Sequence, residues 1–264
     1  MKNQWQSLVC SVTLLLLPAF QVHSLPGYHV NNEASVQKAV KQYASNSNKF
    51  RAVVYQAMLD KHSGPLALAT HRYLLLKPND PERKCSFATA YWQTQFPGVR
   101  QNISPKDVKQ LQGLYQEAVQ DTKEAAQKLP HSVAAHINYA RYLQYFVYGT
   151  EKVPAMVREY QKVVALEPHQ AEAHYALAMA YLGTGDYSVE TSHKAIAELK
   201  QAVKLNPRLT ESYSYMAASC SWVNNWKEAK FYLQQYIRVN PKAATRPDVV
   251  AVMKTANEKI AAGL

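Results

Sequence analysis

The stretch Ala171–Pro207, AEAHYALAMAYLGTGDYSVETSHKAIAELKQAVKLNP, constrains this chain more than any other. Apolar residues recur at helical spacing on both sides of a Gly-Asp break, and a proline closes the second run. The pattern predicts two amphipathic helices folded back on each other. Such a pair cannot bury both of its faces by itself, so its neighbours should carry copies of the pattern. Closing prolines at 78, 130, 168, 207 and 241 stand 52, 38, 39 and 34 residues apart.

Between those prolines the register persists. Leu177, Ala178 and Tyr181 of the clear unit correspond to Phe87, Ala88 and Tyr91, to Tyr139, Ala140 and Leu143, and to Met216, Ala217 and Cys220. On the second helix of each unit, Ala195, Leu199 and Ala202 correspond to Ala118, Thr122 and Ala125, and to Met156, Tyr160 and Val163; Ala229 and Leu233 continue the series. A small residue at the second place of the first triplet lets two helices approach closely.

His174-x2-Leu177-Ala178-x2-Tyr181, Gly185-Asp186-Tyr187, Ala195-x3-Leu199, Ala202 and Pro207 resemble one tetratricopeptide unit, with His174 in the tryptophan slot. The resemblance covers 133–241 strongly and 66–132 less so. It implies an all-α fold, a right-handed α-α superhelix of about four repeats with an N-terminal helical pair and a C-terminal cap helix. The segments predicted are a signal peptide over 1–24, a lead-in and helical pair over 25–65, the repeat solenoid over 66–244, and a cap helix over 245–264. The helical pair is expected near Asn32–Tyr43 and Phe50–Leu59, ended by His62-Ser63-Gly64-Pro65. One long helix is expected from Ser104-Pro105-Lys106-Asp107 to Leu129, and Thr245-Arg246-Pro247-Asp248 is expected to cap the last helix.

Residues 1–24 begin cationic at Lys2, carry an apolar run from Leu8 to Leu17, and end in Val22 and Ser24, the pattern of a secretory signal cleaved near Ser24. That run is shorter than the roughly 20 residues a membrane-spanning helix needs. The mature chain is therefore expected to be exported, periplasmic or secreted, and not transmembrane. Its charge is 29 basic minus 19 acidic residues, or +10, and both ends are basic while the middle is balanced. This charge suits either a solvated outer helix face or attraction to an acidic envelope polymer. No compact basic cluster with aromatic spacing points to nucleic acid.

No motif for a catalytic nucleophile, phosphate loop or metalloprotease occurs, so no catalytic residue and no cofactor are expected. His131/His136 and His169/His174 share a spacing of five, poor helical geometry for one metal and explained by repeat register, so no metal is expected. Cys85 and Cys220 read as packed thiols. Asn102-Ile103-Ser104 is a glycosylation sequon, with Ser104 committed to capping. Tyr139, Tyr142, Tyr145 and Tyr148 recur every three residues, either to stack a ligand or to pack along the edge of the repeats.

What the resemblance implies is a non-catalytic scaffold that binds a protein or peptide in a concave groove. The groove positions in the family's register are Ile137, Arg141 and Gln144, then Tyr175, Met179 and Leu182, then Ser214 and Ser221, with Tyr175, Met179 and Leu182 as the apolar centre. The relatives that grip a terminal carboxylate place lysine and asparagine at the fifth and ninth positions of their first helices. Here those positions hold Cys85, Ile137, Tyr175 and Ser214, and Thr89, Arg141, Met179 and Ala218. Basic ends that hold an acidic polymer in the cell envelope are the alternative function.

Overall fold

The computed structural model describes residue 30 and residues 32–146, 152–183 and 188–263. The signal-like segment 1–24, the Gly185-Asp186-Tyr187 turn and Tyr148 lie outside the described residues. Among those residues there are fourteen α-helices, one 3-10 helix and no strand. The all-α repeat architecture expected from the sequence is the one observed. The chain divides into two compact units, Met1–Lys162 and Val163–Leu264, the division falling inside one helix.

The first unit begins with α1 (Glu33–Tyr43), α2 (Ser47–Leu59) and α3 (Ser63–Leu75). Asn32 opens α1 with a capping box, its side chain accepting from the Ser35 amide at 2.9 Å while its own amide donates to the Ser35 hydroxyl at 3.1 Å. The break after α2 is narrower than the sequence implied. Lys61 takes a left-handed φ of 61°, and Gly64 and Pro65 already lie in the first turn of α3, where proline's missing N–H costs nothing. Pro81 likewise starts α4 (Pro81–Thr94), with Asp80 accepting from the Glu82 amide at 3.0 Å.

The first two helices pack on each other as expected, but not on each other alone. α1 packs against α3 more extensively than against α2, and α2 touches α4 as well, so α2 is an insertion between the two members of a helix pair. The same has happened in the next unit. α5 (Pro97–Arg100) and α6 (Pro105–Gly113) stand between α4 and its partner α7 (Tyr115–Lys128), which accounts for the long interval between Pro78 and Pro130. The single helix expected from Ser104 to Leu129 is thus two. Its N-terminus is as read, Ser104 accepting from the Asp107 amide at 3.1 Å, but the ladder breaks at Leu114, whose amide bonds back only to Leu111. The halves serve different neighbours, α6 packing on α3 and α7 on α4.

α8 (Val133–Phe146) packs on both α4 and α7, and α9 (Lys152–Leu166) pairs with α8 through a Tyr160 hydroxyl donating to Gln144 at 3.2 Å. The tyrosine series turns inward: Tyr142 lies 5.4 Å from Trp92, Tyr145 meets Phe96 edge-on at 5.7 Å, and Tyr139 stacks on Tyr142. Of the two roles open to these rings, packing is the one seen. The core beneath them joins Val36, Phe50, Leu66, Leu74, Phe87 and Tyr91, all buried.

The second unit continues with α10 (Ala171–Leu182), α11 (Val189–Leu205), α12 (Glu211–Trp222), α13 (Trp226–Val239), a 3-10 turn (Pro241–Thr245) and α14 (Pro247–Ala261), consecutive helices packing in order. Residues Ser188–Ser192 do not lie in a turn. Ser188 caps α11, accepting from the Thr191 amide at 3.2 Å, and the rest form its first turn, so α11 runs to 17 residues. Thr245 does not cap α14 either. Its hydroxyl bonds back to the Lys242 carbonyl, and Asp248 is taken by a two-pronged bond from Arg246 at 3.1 and 2.8 Å.

Ala88, Ala140, Ala178 and Ala217 are fully buried, each in the small slot of its first helix. Ala178→Leu should overpack that contact and lower stability by about 1–3 kcal/mol, read as a fall in the thermal midpoint. An unchanged midpoint would show that the helices do not meet through this slot.

Candidate functional site

The groove positions predicted from the repeat register separate into two groups. Tyr175 is 3%, Met179 4% and Leu182 6% exposed, and Ile137 and Ser214 are equally buried. α10 is buried on every face, its only half-exposed residue being Tyr181. The supposed apolar centre is therefore packed: the Tyr175 ring meets Tyr215 of α12 edge-on at 6.1 Å. Burial raises both phenols, Tyr215 to about 12 and Tyr175 further. Arg141, Gln144 and Ser221 keep some access to solvent, and two are engaged locally, Gln144 with Tyr160 and Ser221 with the Ala218 carbonyl at 2.7 Å.

Where the insertions of the first unit meet, they leave a cavity of about 180 Å³. Met58, Leu59, Val99 and Ile103 form its apolar walls, and Lys61, Ser63 and Asn102 its polar lining. The Ile103 side chain presses against the α3 backbone here, for a Cβ added to Gly64 would lie 2.7 Å from Ile103 Cγ2. The Ser63 hydroxyl is buried with no hydrogen-bond partner among the described residues, and Leu59 stands 58% exposed at the edge. The space is near the size of engineered cavities of about 150 Å³ that accept benzene. It suits one aliphatic side chain, with an ammonium beside it for a carboxylate. Sequence reading missed this feature because it took α2 for the second member of a terminal helical pair and α6 for the start of one long helix; the 52-residue interval was the available signal.

A second feature recurs with the repeats. At the tryptophan slot stand Lys84 on α4, His136 on α8 and His174 on α10, and each faces an acid one residue before the Thr122, Tyr160 and Leu199 positions. Lys84 Nζ lies 3.0 Å from Asp121 and 2.6 Å from Glu124. His136 Nδ1 lies 2.6 Å from Glu159, and His174 Nδ1 2.6 Å from Glu198. Burial raises the Asp121 carboxyl above its usual range in spite of Lys84, whereas hydrogen bonds from Lys128 and Lys84 lower the more open Glu124. The histidine register was legible; its acidic partners were not noticed, although Glu159 and Glu198 stand 23 and 24 residues after their histidines.

Cys85 and Cys220 are both buried, packed as read. Burial, with Glu228 3.6 Å away, pushes the Cys220 thiol up to about 12. Among the described residues no group of three or more His, Cys, Asp and Glu side chains is arranged to hold a metal, and no helix is long and apolar enough to cross a membrane.

Neither a family model nor a curated protein sequence matches the chain. Solved structures do. MamA is similar with a TM-score of 0.54 and 15% identity, over 74% of this chain and 98% of that one. MamA from residue 41 onward, from Desulfovibrio magneticus RS-1, gives 0.53 at 17% identity over 74% and 96%. YrrB, described as a TPR protein with an unusual peptide-binding site, gives 0.53 at 12% identity over 80% and 94%. At these identities the likeness shows the fold, and the fold is that of tetratricopeptide-repeat proteins.

Two outcomes follow from the burial. Met179→Ala should destabilise the protein by about 2–5 kcal/mol in chemical denaturation, as a core truncation does, and a surface-sized effect would return Met179 to an accessible face. With its thiol near 12, native Cys220 should resist a thiol reagent at pH 8 and react once the protein is unfolded, since only the thiolate attacks. Rapid labelling of the native protein at Cys220 would contradict this.

Proposed function

We propose that the chain is a non-catalytic, exported interaction scaffold whose partner is a protein or peptide. The observation that carries this reading is the cavity between the insertions. It joins apolar walls, a buried hydroxyl at Ser63 without a partner among the described residues, and Lys61 at its lining. Its occupant is an aliphatic side chain next to a carboxylate, supplied by the partner. The peptide-binding description of YrrB, a neighbour in fold, supports the class of ligand and says nothing of its position. The groove keeps Arg141, Gln144 and Ser221 as its accessible members, and these form the competing surface. Export rests on the signal pattern at Leu8–Ser24 and makes Leu25 the first residue of the mature chain.

A library of short peptides displayed with free C-termini tests the site. Enrichment of leucine or valine beside acidic groups is expected. Leu59→Asp should weaken the selected peptide tenfold or more, about 1.4 kcal/mol, without moving the thermal midpoint. Arg141→Glu should leave it unchanged. The reverse pattern would place the partner in the concave groove. N-terminal sequencing of the protein from its native source should begin at Leu25; recovery from the cytoplasm with Met1 intact would overturn export.

A further inference from the structure

The two histidine slots share a geometry that repeat register alone does not require. His136 has Nδ1 2.6 Å from Glu159 Oε2 and Nε2 3.1 Å from the Pro130 carbonyl oxygen. His174 repeats it, with Nδ1 2.6 Å from Glu198 Oε2 and Nε2 3.0 Å from the Pro168 carbonyl. In each case the ring ties the turn before its own helix to the second helix of its pair.

A carbonyl oxygen and a carboxylate oxygen only accept hydrogen bonds, and a neutral imidazole has a single N–H to give. Both bonds therefore coexist only when the clamp holds one proton more than a neutral ring and a carboxylate. Burial raises the Glu159 carboxyl, but hydrogen bonds from His136 and Lys162 outweigh it and hold the group below its usual range.

We propose that His136 and His174 are proton-binding joints, closed as imidazolium clamps, so that the α8–α9 and α10–α11 pairs loosen as pH rises above neutral while the α4–α7 pair stays closed. The third slot supplies the contrast. Lys84 fills the same place with a cation that keeps its charge across this range, and its ammonium bridges Asp121 and Glu124.

The surrounding charges do not supply the missing donor or acceptor. Around His136, Lys162 bonds the other oxygen of Glu159 at 2.8 Å, Lys84 on α4 is held by its own acids, and Lys128 on α7 is bonded to Glu124. Tyr139 on α8 is raised chiefly by burial and then by Glu159, so it stays a neutral phenol. His131 in the turn is exposed. Around His174, Glu172 on its own helix is engaged by Asn206 at 3.3 Å, and Glu211 on α12 accepts from Tyr236 at 2.6 Å. In the turn before α10, His169 is exposed and Glu167 half-buried.

The sign follows from proton counting. An unfolded histidine releases its proton around pH 6.5, whereas each closed clamp must keep it. The clamp's contribution is complete below that pH. Above it, the equilibrium constant for opening each pair rises tenfold per pH unit until the clamp itself gives up the proton.

Nitrogen-15 NMR of the mature wild-type protein reads the ring state directly. At pH 7.5 both nitrogens of His136 and of His174 should carry protons. Amide protection factors between pH 6 and 8.5 should fall in α8–α9 and α10–α11 and hold in α4–α7. His174→Lys, which copies the Lys84 slot, should flatten the pH dependence of α10–α11 and leave that of α8–α9. A single protonated nitrogen in both rings at pH 7.5 with the fold intact would overturn the proposal, as would protection factors that fall equally in all three pairs.

Discussion

Each repeat of this chain depends on two helices approaching closely at one small residue. Ala88, Ala140, Ala178 and Ala217 sit where a larger side chain would force the pair apart, and their complete burial shows that the approach is made each time. Once that point is fixed, 3.6-residue periodicity fixes the rest of the interface. Four residues earlier comes the slot that reaches the partner helix, and three later a half-buried or buried apolar residue. Insertions can then enter between the paired helices without disturbing them, since the pair is specified by its own contact and not by the length of chain joining it.

The slot before that contact shows how one position can change its chemistry while its neighbours do not. Val36 and Tyr213 occupy it at the two ends of the series, and Lys84, His136 and His174 in between. Each of these three buried side chains is met by an acid on the second helix, because a charge left unpaired in such a place would cost far more than the pair does. Such pairs contribute little net stability against apolar residues of the same size. What they do is penalise mispairing, since a helix slipped against its neighbour leaves a charge without its partner.

The fold was legible in the sequence because the alanine slot and closing prolines are local, periodic signals. The insertions were half legible. The 52-residue interval announced extra chain, but the capping signals at Asn32 and Ser104 mark where a helix begins and cannot say which helix it joins. The candidate site was read less well. Tyr175, Met179 and Leu182 have the right register for a groove, yet α10 carries apolar residues on all sides, and a helix apolar all round is one that expects to be covered. That composition, AEAHYALAMAYL, was in view and outweighed the family's register. The cavity depends on contacts between α2, α3 and the chain around α5, which no local pattern records.

The burial of α10 carries a consequence for how the chain reaches its native state. Until α11 and α12 have formed, the segment Ala171–Leu182 presents an apolar surface on every side, with Glu172 its single acidic residue and no basic residue save a histidine. The helices that cover it follow it in the sequence, so during synthesis it emerges before its cover. For that interval it is the part of the chain most prone to self-association, and the most natural place for a chaperone to hold. The same all-round packing that makes this helix the stable centre of the second unit makes it the point at which an interrupted fold is most exposed.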